Sequence, residues 1–168
     1  MNINEKLNKY LKSYLSKPKK TFTGFFKKAK TYYEEESLGE ACYDYAKIND
    51  FIDKNKDKKT FQTKLFKYID DKNLKDSDVY NKVNIDRRLF SKIRSDINYH
   101  PSKETVILLG IALELSEYEI EDLLESASYS LPKNTTYDLI IRFCFKECIY
   151  DINQINEFLY DHNCKILK

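Results

Sequence analysis

Apolar residues recur three and four positions apart along most of this chain, with short polar stretches between the repeats. That spacing gathers apolar side chains on one side of an α-helix and predicts helices rather than strands. In "NINEKLNKYLKSYLS", Ile3, Leu7, Leu11, Tyr14 and Leu15 share a face, with Lys6, Lys9 and Lys12 between them. Pro18 ends that helix or follows its end. "TFTGFFKKAKTYY" repeats the pattern through Phe22, Phe25, Phe26, Ala29 and Tyr33. Ser37 and Glu40 form an S-x-x-E capping box for a third helix through Ala41, Tyr45, Ile48 and Ile52. "DKNKDKK", residues 53–59, has no apolar residue and reads as a linker.

A denser series comes next. Phe61, Leu65, Phe66 and Ile69 define one helix, and Asp76 or Ser77 caps a short second one carrying Val79, Tyr80 and Val83. Asn84 suits a left-handed turn, after which Asp86 caps a helix rich in arginine. Pro101 and Ser102 open "KETVILLGIALEL", apolar nearly all round and therefore central. Ser116 and Glu119 make another capping box for a helix through Ile120, Leu123 and Leu124. Two more helices are expected, from Tyr137 to Ile149 and after Asp151, with Gln154 at the third position.

Composition supports this reading. The 168 residues include only 3 glycines and 3 prolines, which favours helices over a turn-rich β fold. The longest apolar run, Val106 to Leu113, is far short of a bilayer span. The first twenty residues carry no secretory signal pattern, and four cysteines then suggest reduced thiols and a cytoplasmic protein.

Charge adds a second layer. Residues 1–60 hold 14 Lys against 9 acids, whereas 61–131 hold 10 basic and 13 acidic residues. Three of the four arginines lie in "NIDRRLFSKIRSD", residues 84–96, although 25 lysines supply charge elsewhere. At about 100° per residue, Leu89, Phe90 and Ile93 fall on one arc of that helix. Arg87, Arg88, Ser91, Lys92 and Ser95 fall on the other, with Arg94 at the border. Arginine forks donate bidentate hydrogen bonds to guanine, so this face suits a DNA major groove. A solvated face with intramolecular salt bridges is the competing reading.

The stretch "LKDSDVYNKVNIDRRLFSKIRSDINYHPSKETVILLGIALELSEYEIEDLL" resembles the five-helix domain of lambda-repressor and Cro-type regulators. Val79–Ile85 match its first motif helix and turn, and Asp86–Arg94 its recognition helix. Pro101-Ser102 and "IALEL" match the start and body of its central apolar helix. Residues 61 to about 160 are more closely similar to a C-terminal module that bacteria append to macro and von Willebrand A-like domains, on "DSDVY", "NIDRRLFSKIRS", "YHPSKET", "ALEL" and "IYDINQINEFL". The resemblance implies a lambda-repressor-like helix-turn-helix domain whose Arg87, Arg88, Ser91 and Lys92 face the groove.

Other constellations are weaker. Lys27, Lys28 and Lys30 interleave with aromatics and could contact phosphates, but the same pattern fits a packed core or a membrane surface. Cys144, Cys148, His162 and Cys164 are zinc-type ligands at no zinc-motif spacing, and core cysteines are common. No glycine-rich phosphate loop and no nucleophile–base set is found; Glu34–Glu36 suit a solvated helix end.

The combined expectation is an all-α protein: a basic, aromatic-rich N-terminal unit (1–55), a linker (56–60), a five-helix helix-turn-helix domain (61–131) and a two-helix extension (132–168). It is read as a non-enzymatic, cytoplasmic, sequence-specific DNA-binding protein without cofactor or metal, a transcriptional regulator of a bacterium or mobile element. Arg87, Arg88, Ser91, Lys92, Arg94 and Ser95 contact DNA, and Lys27, Lys28 and Lys30 reach phosphates. The partner is double-stranded DNA, bound by a homodimer, and membrane association is disfavoured. The alternative is a module that uses the same fold to dock a protein partner.

Overall fold

Side-chain oxygens set most helix starts in this chain. The computed structural model describes residues 2–15, 45–55 and 60–168. Among the described residues it has nine helices and no strand. They are α1 (Ile3–Leu15), α2 (Tyr45–Asn55), α3 (Phe61–Asp71), α4 (Asp76–Lys82), α5 (Arg87–Ser95), α6 (Lys103–Ala112), α7 (Glu117–Ser126), α8 (Thr136–Lys146) and α9 (Ile152–Asp161).

Thr60, Asp86, Ser102, Ser116, Thr135 and Asp151 each accept a hydrogen bond from a first-turn N–H of the helix they precede. These bonds satisfy amides that would otherwise lack partners. Ser116 and Glu119 form the reciprocal capping box. The expectation for α4 is corrected: its N-cap is Lys75, with no side-chain bond, and Asp76 and Ser77 lie inside the first turn.

Helix ends follow a second rule. Asn73, Asn84, Glu114, Ser128, Cys148 and Asn163 all have φ between 49° and 58°. After each, the next residue's N–H reaches back five positions: Leu74 to Ile69 O, Ile85 to Tyr80 O, Leu115 to Gly110 O, Tyr129 to Leu124 O, Ile149 to Cys144 O and Cys164 to Leu159 O. This is the Schellman closure, built six times without glycine. It ends α6 at Ala112 and α8 at Lys146, earlier than apolar periodicity alone predicts.

The chain divides into two compact units, Met1–Ser16 with Lys59–Lys168, and Lys17–Lys58. In the first unit, α1 packs on α8, α8 also touches α7 and α9, and α6 sits against α4 and α7. α1 is therefore part of this unit, which corrects the expected 1–55 boundary. Leu7 and Leu11 supply its buried stripe, and Tyr10 stacks 5.3 Å from Phe143. From Val106 to Ala112, α6 is buried on every side, as expected of a central helix. A Cβ on Gly110 would collide with the Ile120 side chain and lie 3.2 Å from Phe145. Glycine here permits the close approach of α7 and α8, although mid-helix glycine costs about 1 kcal/mol relative to alanine.

Two charges enter the core with partners. Asp138 meets Lys103 at 2.5 Å and Thr135 Oγ1 at 2.6 Å. Arg142 bonds Glu117 and the Leu131 carbonyl, each at 2.9 Å, and pairs with Glu121. Beyond α9, Asn156 holds the backbone of Leu167 through both ends of its amide.

The second unit contributes α2, which carries a Lys54–Asp50 pair at 2.7 Å. Asp53–Asn55 are helical rather than linker. The expected helix over Phe22–Tyr33 and the capping box at Ser37 and Glu40 lie outside the described residues.

Candidate functional site

The arginine-rich segment becomes α5, and its position follows from the neighbours of its apolar arc. Asn84, at φ 53°, turns the chain out of α4, and Ile85, itself buried, seals the turn. Asp86 Oδ1 then accepts from the N–H of Arg88 at 2.6 Å and of Leu89 at 3.4 Å, starting α5. Phe90 and Ile93 are buried. Phe90 meets Tyr80 of α4 at 5.5 Å and, edge-on, Phe66 of α3 at 6.1 Å. At the far end, Gln62 Nε2 donates to the carbonyls of Ile93, at 3.0 Å, and of Arg94. Both ends of α5 are thus satisfied by this chain's own side chains, which fixes the helix against α3 and α4.

The opposite arc faces solvent. Arg87, Arg88, Ser91, Lys92, Arg94 and Ser95 are all exposed. Among the described residues, the side chains of Arg87 and Arg88 make no ion pair or hydrogen bond. Lys92 lies 4.7 Å over the ring of Tyr99. Arg94 is engaged differently: its Nη2 meets Asp76 Oδ1 at 2.5 Å, and its guanidinium lies 3.9 Å over Phe66. Arg94 therefore leans back toward α3 and α4 and leaves the arc of Arg87 and Arg88.

Positive charge concentrates in this stretch of the sequence. Residues 75–96 hold six cations against four carboxylates, while the rest of 61–131 holds four cations and nine carboxylates. Several of those carboxylates are engaged elsewhere: Asp122 by Lys64 and Tyr68, Glu114 by Lys82, and Glu117 and Glu121 by Arg142. Burial pushes the Tyr68 hydroxyl up to about 12, and the Asp122 carboxylate beside it adds to the shift.

Neither a family model, nor a curated protein, nor a solved structure matches this chain.

The other sequence candidates separate. Lys27, Lys28 and Lys30 lie outside the described residues. Cys144 is buried, which pushes its thiol up to about 12, while Cys148 is exposed and Cys164 half-buried. Among the described residues no group of three or more His, Cys, Asp or Glu side chains is placed to hold a metal ion. His100 packs edge-on against Tyr129 at 5.2 Å. Among the described residues, surface clefts of about 260 Å³ beside Lys82 and Glu114 and about 210 Å³ beside Asn8 and His162 lie below the roughly 300–1,000 Å³ of most small-molecule sites. Sequence reasoning missed Gln62, Phe66 and Tyr99 as supports of α5. Their partners lie seven to thirty-two positions away in the sequence, and no local pattern links them.

Proposed function

We propose that this is a sequence-specific DNA-binding protein of the lambda-repressor-like helix-turn-helix type, with α5 as its recognition helix. The observation that carries the reading is the pair of exposed arginines, Arg87 and Arg88, unpartnered among the described residues, in the first turn of a helix locked by its other face. In such domains the N-terminal part of the second motif helix enters the major groove. Bidentate donation from arginine to guanine is the commonest specific contact there. The order α3 to α7, five helices with the arginines on the third, supports the same reading. The protein then acts as a transcriptional regulator of a bacterium or mobile element, as a homodimer on paired half-sites. A second reading, in which this face docks the carboxylates of a protein partner, draws on the net charge of −3 over residues 61–131.

Fluorescence anisotropy on the duplex upstream of the protein's own gene, against a scrambled competitor, separates the two. Base readout is expected to resist the competitor and to lose about 1–3 kcal/mol for each of Arg87→Ala and Arg88→Ala. Binding equally weak on both duplexes, and unchanged by either substitution, transfers the arginines to a protein interface.

A further inference from the structure

Arg94 carries the same charge as Arg87 and Arg88, but its surroundings assign it another task. Its guanidinium is clamped on two sides, by the Phe66 ring beneath and by Asp76 at one nitrogen. Even so, 51% of its side chain remains exposed. A guanidinium carries five N–H donors in a fixed plane, and Asp76 occupies one. The remaining donors are held in a set orientation, so the rotamer entropy that a free arginine loses on binding is already lost here. Asp76 lies in the first turn of α4, which places this fixed fork at the start of the first motif helix. In a helix-turn-helix complex that first helix crosses the DNA backbone, while the second enters the groove.

We infer that Arg94, positioned by Asp76 and Phe66, grips a DNA backbone phosphate, leaving base contacts to Arg87 and Arg88. This rests on the DNA-binding reading above and divides the three arginines into two readers and one clamp. Phosphate contacts are independent of base sequence, so the clamp can be tested without knowing the operator.

The probe is a fluorescein-labelled pool of random-sequence duplexes, titrated with the full chain at several salt concentrations between 50 and 200 mM, a range on the order of that used to define such slopes. The key variant is Asp76→Asn/Arg94→Gln, which keeps the net charge of the wild type while removing the cation. The clamp predicts that the slope of log affinity against log salt becomes shallower by about 0.9, the contribution of one neutralised phosphate. Affinity should fall by a similar factor on every duplex tested. Arg94→Gln alone, which can still bond Asp76 but leaves that carboxylate unneutralised, should give at least the same loss and stands in if the double variant folds poorly by circular dichroism. If the wild type binds the pool and both variants keep its slope, the clamp is wrong and the DNA-binding reading stands. If the wild type fails to bind the pool even at the lowest salt, the DNA-binding reading itself falls, and the clamp with it.

Discussion

Arg142 and the Arg87–Arg88 pair are the same residue type under opposite conditions. The Arg142 side chain is only 10% exposed, and its guanidinium is bonded by Glu117, Glu121 and the Leu131 carbonyl. Burial alone would lower its proton affinity, but the hydrogen bonds and charges of the two glutamates more than reverse that. Arg87 and Arg88 are exposed and, among the described residues, unpartnered. A buried cation is tied into the fold because desolvation without partners costs several kcal/mol. An exposed cation costs the fold almost nothing and keeps its donors for something else. The contrast separates arginine used as structure from arginine available for binding, within one small domain.

Three variants can break or sharpen that contrast. Arg142→Ala removes the shared partner of two carboxylates and leaves a buried carbonyl without its donor. It is expected to cost about 3 kcal/mol of unfolding free energy, read from urea denaturation followed by circular dichroism. A loss below about 1 kcal/mol, the scale of an exposed pair, would place Arg142 among the surface ion pairs instead. Asp86→Ala removes the cap that starts α5 beside the exposed arginines. The same measurement should show a cost of about 1 kcal/mol, typical of a lost N-cap. The smallest effect belongs to Arg87→Ala/Arg88→Ala, whose stability should stay within about 0.5 kcal/mol of wild type. A larger loss there would mean that the face holds the fold together, and would count against a binding role.

Local chemistry was the legible part of the sequence. The capping box at Ser116 and Glu119, the cap at Asp86 and the turn at Asn84 are each written within three or four residues, and each stands in the structure. The burial of α6 was legible because its run of apolar residues leaves no polar face. Helix ends at Ala112 and Lys146 were harder to read. There a left-handed Glu114 or Cys148 stops the helix, and neither residue type announces such a turn. The placement of α1 on α8 was not legible either. Nothing in the spacing of Leu7 and Leu11 says which distant helix they will meet. The candidate site shows the same divide: the two arcs of α5 follow from a helical wheel, but the commitment of Arg94 to Asp76 and Phe66 is a tertiary fact.

The six glycine-free helix ends bear on how the chain distributes entropy. A left-handed residue with a Cβ costs the native state about 1 kcal/mol or more. Glycine at the same place would relieve that, but it would also widen the ensemble of unfolded conformations by roughly 0.5–1 kcal/mol. The two effects largely offset each other, so a fold can be nearly devoid of glycine without a large loss of stability. What it gains is a side chain at each corner. Glu114 uses one to reach Lys82, 2.5 Å away, tying the end of α6 to the end of α4 just before the chain turns toward α5.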